Sequence, residues 1–433
     1  MVFSNTSSAV RSLYLAFLCL LVAACSLNES GIREKPFTVV MLPDTQNAVN
    51  FERQKAQGFA IDSSEIFIGQ MQYVAENAVE NGGDVVFVAS VGDVWQHAAS
   101  GWDPGHSARG IVAEPGTVHR SVNRDGVLTH EIPKVAEGYR LLSDAGIPFG
   151  ISPGNHDYDA WWTVAGSKPN AAGRYPAHVG GLENFRKVFG SDSQFFEDKD
   201  WYVSSFRGGA NSAQLFSGGG YQFLHLALEM QPGDEVLEWA ERVVANYSGL
   251  PTIITTHDYM NVRGERDYPG MDLTLVDPEY HNSTEELWQE FIRKTDQIFM
   301  VLCGHRGGQA FRVDKNDYGH AVYQILADYQ DRGQAGLDAG QRVGPGARVS
   351  GIGDGWLREM VFHTYGDKPR IDIRTYSSHY SSYSSELESY AEWYKNREQP
   401  DMSDELFLAA DEFIIELEDF HDRYGTPAER FGQ

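Results

Sequence analysis

An amide, an imidazole and a carboxylate stand side by side in Gly154-Asn155-His156-Asp157, directly after the apolar run Gly146–Ile151. At the exit of a strand, such a trio can bind a hard metal ion and move a proton. Four other apolar segments also end in Asp or His. Phe37–Leu42 leads to Asp44-Thr45-Gln46, and Asp84–Val91 to Gly92-Asp93. Thr252–Thr255 leads to His257-Asp258, and Ile298–Cys303 to Gly304-His305. One such match has a substantial false-positive rate. Five in one chain form a constellation.

The elements that must carry these residues alternate. Phe37–Leu42 and Asp84–Val91 are β-rich and too short for buried helices. Between them Phe67, Met71, Val74 and Ala78 recur at helical spacing, with Ser63 or Ser64 as a cap and Asn81-Gly82-Gly83 as a stop. Further helices are expected around Val135, Tyr139 and Leu142, from Asp234 through Val244, and after the capping box Ser283-x-x-Glu286. Strand, helix and strand in succession imply parallel strands with crossover helices. Tyr221–Leu228, Ala321–Ala327, Leu357–Thr364 and Ile371–Tyr376 have no helix between them and read as a second, largely antiparallel sheet. The expected fold is α/β, with two sheets packed face to face as a four-layer α/β/β/α sandwich. Ligands of open α/β sheets bind at the carboxyl ends of strands, where all five motifs fall.

In this order the motifs resemble those of the calcineurin-like metallophosphoesterases, D-x-H, G-D, G-N-H-[DE], an isolated H and G-H-x-H, over roughly residues 37–375. Asp-Thr-Gln is similar to the first motif of an exported bacterial branch that also carries glutamine there. The resemblance implies the same four-layer fold and a dinuclear site bridged by Asp93. Asn155, His257 and His305 would complete one metal position, and Asp44 and Gln46 the other. Here the chain departs from the family twice. Gln46 stands for a histidine, and Gly307 stands where G-H-x-H supplies its second histidine. Both changes remove nitrogen ligands and tilt preference from Zn toward Mn, Mg or Ca. His97, His320 or Asp328 are candidate substitutes.

The family role of His156 is to protonate the leaving alkoxide. Gln96 occupies the position where related phosphatases orient that histidine with an aspartate. Asp157 either orients the loop or caps it. Arg306 either clamps a phosphate oxygen or is a surface arginine. The nucleophile would be a metal-bound hydroxide. The implied cofactors are two divalent ions, among Mn, Fe, Zn, Mg or Ca. The implied reaction is hydrolysis of a phosphomonoester or phosphodiester. The alternatives are a nuclease or nucleotide phosphodiesterase, or a catalytically weak metal-stabilised binding lipoprotein. Trp95, Trp102, Trp161 and Trp162 lie near the motifs in sequence and could stack on sugar or base rings.

Residues 1–24 read as a signal peptide, since Arg11 precedes the short apolar run Leu13–Ala24. Val22-Ala23-Ala24-Cys25 resembles a bacterial lipobox, which makes residues 25–36 a lipidated tether. The alternative is an ordinary signal peptide with a chance cysteine. The lipobox reading implies an exported lipoprotein, membrane-bound through Cys25 and periplasmic or at the cell surface, with Ser26 favouring the outer membrane. Cys303 would be the one thiol left unmodified in the mature chain, so no internal disulfide is expected. A formal net charge of −26 opposes long-range capture of nucleic acid polymers or anionic lipid. The domain is expected over 37–376, and the acidic tail 377–433 as surface helices. Segments 97–132 and 158–220 read as insertions beside the site, either lids or decoration.

Overall fold

The computed structural model describes residues 35–50, 58–98, 104–110, 123–162, 168–268, 270–338, 351–427 and 429. The expected leader, Cys25, most of the tether, and Trp102 lie outside the described residues. Among the described residues no helix is long and apolar enough to cross a membrane.

The chain is an α/β protein built on two mixed seven-stranded sheets. In the first, Phe37–Leu42, Val85–Ser90 and Phe149–Ile151 run parallel, and Trp356–His363 pairs antiparallel to Phe37–Leu42. In the second, Tyr221–Ala227, Thr252–Thr255, Ile298–Cys303 and Ala321–Asp328 are the parallel centre, with antiparallel strands on either side. Parallel strands are buried on both faces, so their sequences are continuous apolar runs whose alternation becomes visible only in space. Val39 and Met41 face a core shared with Phe216, Phe223 and Phe299 of the second sheet. Val40 and Leu42 face the opposite way, toward Phe67, Met71 and Leu142 of the helices Ser63–Glu76 and Ile132–Asp144. The outer face of the second sheet packs on the helix Asp234–Asn246 through Val236, Leu237, Ala240 and Val243. Stacked rings join the sheets, with Phe87 on Phe216 at a centroid distance of 4.4 Å.

Two expectations are corrected. Leu357–Thr364 and Ile371–Tyr376 do not join a second antiparallel sheet. They extend the first sheet, and the second has a parallel centre that takes Thr252–Thr255 and Ile298–Cys303. Apolar patterning alone does not say which of two doubly covered sheets a strand enters. The tail is also more than surface helices. Its strand Phe413–Glu416 pairs with Arg370–Ser377, and Tyr390, Tyr394, Phe407 and Phe420 are buried in the shared core. Buried charge locks it there. Asp411 accepts from Arg358 at 2.9 Å and from Tyr329 at 2.7 Å, while Arg332 donates to both oxygens of Glu398 at 2.8 and 2.9 Å.

Candidate metal centre

The parallel strands of both sheets end along one edge of the molecule, and there the separated motifs meet. Nε2 of His257 lies 3.2 Å from Oδ2 of Asp93, 3.2 Å from Oδ1 of Asn155 and 3.1 Å from Nδ1 of His305. Its other nitrogen, Nδ1, donates to the Val91 carbonyl at 2.8 Å, which sets the ring so that Nε2 faces the cluster. Asp93, His257 and His305 form a group that could hold a metal ion. A tetrahedral ion bound at 2.0–2.1 Å sets its ligands roughly 3.3 Å apart. The spacing observed around His257 Nε2 is within a few tenths of an ångström of that.

Close backbone approach makes this convergence possible. A Cβ on Gly154 would sit 2.3 Å from Oδ1 of Asp93, and one on Gly304 would sit 2.1 Å from Oδ1 of Asp44. Asp93 and His305 both adopt positive φ, 51° and 70°, conformations that cost non-glycine residues energy and collect at functional sites. Asp157 pins the same loops. Its carboxylate accepts from the backbone N–H groups of Asp93, Val94 and Gly154 at 2.7, 2.9 and 2.8 Å. It is fully buried, with both oxygens bonded to backbone N–H groups.

Asp44 lies beside the cluster, accepting from the His305 N–H at 2.9 Å, with Oδ1 4.0 Å from Nδ1 of His257. Gln46 is fully buried. Its Nε2 faces Oδ2 of Asp93 at 3.2 Å, and its Oε1 has no hydrogen-bond partner. Oδ2 of Asp93 thus stands between the His257 group on one side and Gln46 on the other. Of the three candidate substitutes for the absent second histidine, Asp328 is at hand. It is fully buried at its strand end, where Gln330 donates to it at 2.9 Å and also contacts Gln46. His320 is bonded to Asp296 at 2.7 Å, at the opposite end of that strand. His97 instead lies parallel to the His156 ring at 4.3 Å and to Trp161 at 5.3 Å. Gln330 was not singled out in the sequence. It follows a strand end as the other candidate ligands do, but a glutamine there carries no distinctive signal.

Electrostatics fit a cation. Burial and the Asp328 carboxylate push Asp44 well above the usual carboxylate range, against the pull of His257. Burial pushes Asp328 itself up to about 7. Burial would also raise Asp93, but the imidazoles of His257 and His156 overcome it and hold the carboxyl low. His257 is raised to about 10; burial opposes its charge, and Asp93 and Asp44 outweigh burial. A positive charge at this point is what the buried carboxylates demand.

His156 is one-fifth exposed, with Nε2 3.9 Å from Oδ2 of Asp93 and its backbone N–H bonded to Oδ1 of Asp93 at 2.7 Å. Gln96 does not orient it; its side chain donates to Asn47 at 3.1 Å. Arg306 lies over the Tyr268 ring at 4.7 Å with Nε 3.6 Å from Asp258, and its Nε and Nη2 are buried without hydrogen-bond partners. The tryptophans divide. Trp95 is core, stacked on Phe189, and Trp162 is buried against His178, so Trp161 alone of the described three joins the His156 stack. Cys303 is buried, and burial raises its thiol pKa.

No family model matches the chain. A stretch of 243 residues is 28% identical to the uncharacterized protein YvnB of Bacillus subtilis (strain 168). The match covers 55% of this chain and 15% of that protein, so the chain spans a small part of its relative's length.

Proposed function

We propose that this chain is a metal-dependent phosphoesterase of the calcineurin-like type, hydrolysing a phosphomonoester or phosphodiester at a dinuclear site. The observation that carries the reading is the approach of Asp93, Asn155 and His305 to one nitrogen of His257 at 3.1–3.2 Å. The four-layer α/β/β/α arrangement is supported by a core between the sheets and separate helix-lined cores outside them.

Asp93, Asn155, His257 and His305 would hold one divalent ion. Asp44, Gln46 and Asp93, with Asp328 and Gln330 beside them, would hold the other. Bound ions supply charge neutralisation and an acidified water as nucleophile. The buried Oε1 of Gln46, which has no hydrogen-bond partner, would serve as a ligand atom there. Arg306 would clamp a phosphate oxygen with its guanidinium, held in place by Asp258 and Tyr268. His156 would protonate the leaving oxygen, its ring plane set by stacking on His97. A lipidated Cys25 would keep the enzyme exported and membrane-tethered.

A second reading, a single-ion binding lipoprotein, is favoured by one observation. Amides and carboxylates crowd the Asp44 side of the cluster, and His257 stands 4.0 Å off through the nitrogen that already donates to Val91. The two readings separate in a metal-stripped chain reloaded with Mn, Mg, Ca or Zn and assayed on aryl phosphomonoesters and diesters. Turnover that returns with a second equivalent of metal supports the esterase. Full metal loading without turnover on either ester class leaves only the binding protein.

A further inference from the structure

Away from this centre, three polar side chains from distant parts of the sequence meet. His106 comes from the short helix Pro104–Ala108, His178 from the strand His178–Gly180, and Asp277 from the loop after Leu273–Leu275. All three are buried, and their ligand atoms lie within 4.8 Å of one another. Nε2 of His106 is 2.6 Å from Oδ2 of Asp277. His178 is 3% exposed, and its Nδ1 is buried with no hydrogen-bond partner. An unsatisfied buried nitrogen is costly in an ordinary core, and two imidazoles with one carboxylate are a ligand set suited to zinc.

We propose that His106, His178 and Asp277 bind one zinc ion, which staples the insertions 97–132 and 158–220 to the loop before Ser283. The ligands need to shift by an ångström or so, since tetrahedral zinc spaces its ligands roughly 3.3 Å apart. Asp277 is already in ligand form. Burial opposes its charge, but Arg109 and His106 hold it below the usual carboxylate range. Arg109 binds both of its oxygens, at 2.8 and 3.1 Å, and would remain as the outer partner that orients a ligating carboxylate. Burial and the neighbouring His106 push His178 down to about 4, so it is a neutral imidazole at physiological pH.

The staple matters because it would join three parts of the chain that are distant in sequence, and metal binding supplies folding energy. It also reaches the candidate catalytic histidine. The His178 ring lies parallel to Trp162 at 4.7 Å, Trp161 is the next residue, and Trp161, His97 and His156 stack in turn. Fixing His178 therefore fixes the strand Ala160–Trp162, with which it pairs.

The test is zinc stoichiometry of the full chain after stripping, reloading with Zn²⁺ alone and dialysis. His178→Ala is expected to lower bound zinc by one equivalent, both in the wild-type background and in Asp93→Asn, where the other centre is damaged. Cobalt loaded in place of zinc should lose a tetrahedral visible absorption band in the same variant. Equal zinc content with and without His178 overturns the proposal. Should His178→Ala fail to fold, Arg109→Gln decides. It leaves the ligands intact and removes the outer partner that orients Asp277, so the zinc-dependent rise in Tm should shrink. If zinc raises the Tm of Arg109→Gln as much as that of wild type, the cluster is an ion pair and no metal site.

Discussion

Oδ2 of Asp93 lies 3.2 Å from Nε2 of His257 and 3.2 Å from Nε2 of Gln46, residues that follow strands of different sheets. One carboxylate oxygen thus joins the two halves of the cluster. Asp93→Asn keeps the shape but removes the charge that both halves share. Bound metal should fall below one equivalent, and esterase turnover should drop by at least ~10³-fold, the equivalent of roughly 4 kcal/mol. Folding should persist by circular dichroism. Retention of two equivalents by the variant would rule out a bridging role.

The ring of His156 stands at the edge of the cluster, its Nε2 3.9 Å from Oδ2 of Asp93, and its proposed role is proton transfer. His156→Ala should therefore lower kcat more than it lowers metal content. The loss should be about 10²–10⁴-fold for alkyl esters and much smaller for nitrophenyl esters, whose leaving groups need little protonation. Equal losses across leaving groups would assign His156 to positioning.

Much of this centre was legible because its chemistry sits at strand ends. Apolar runs that stop at Asp, Asn or His announce themselves in sequence, and Asp93, Asn155, His257 and His305 do meet. Asp328 and Gln330 were harder. Their neighbours Tyr329 and Asp331 make the end of that strand look like ordinary polar loop, and only the pairing of Ala321–Asp328 beside Ile298–Cys303 brings them to Asp44. The assignment of strands to sheets was illegible for a related reason. Leu357 and Ile371 read as any β-rich segment does, and long-range pairing decides their sheet. The buried partners of Asp411 carried no local pattern either.

His225 is a polar residue of the second sheet that packs against the first, with its ring 4.8 Å from that of Phe87. It is fully buried, bonded to Gln214 and Thr255 at 2.7 Å each, and packed where Gly150 of the other sheet has no side chain. Burial lowers its pKa to about 3, against 6.5 for an ordinary histidine. The unfolded chain therefore binds the extra proton first as pH falls. Stability from this group is full above pH 6.5, declines as pH falls toward 3, and the total loss is on the order of a few kcal/mol. His225→Gln should flatten that limb of a urea-melt stability profile. An unchanged slope between pH 6.5 and 3 would contradict the assignment.

Asp411 tests whether the tail belongs to the fold. It lies 2.9 Å from Arg358 and 3.4 Å from Arg332, and both arginines are buried. Asp411→Ala would leave buried positive charge uncompensated, and breaking such a pair costs about 3–5 kcal/mol. A loss under about 1 kcal/mol by denaturant titration would mean the tail docks weakly.

Gly307 offers the sharpest test of the departure from the family pattern. A Cβ there would meet only Oδ2 of Asp331, at 3.7 Å, so the loop has room for a side chain. The Asp44 side of the centre holds Gln46, Asp328 and Gln330, oxygen and amide groups that bind transition ions less tightly than imidazole does. The ion on that side should be the weaker of the two and exchange during dialysis. Gly307→His should restore a nitrogen ligand, hold the second equivalent more tightly and shift preference toward Zn. The readout is metal content after dialysis against mixed Mn and Zn, because activity can move either way when an open position is filled. If wild type already retains two ions and the variant changes neither content nor preference, Asp328 and Gln330 complete the position unaided. The glycine would then be a substitution the site has already absorbed.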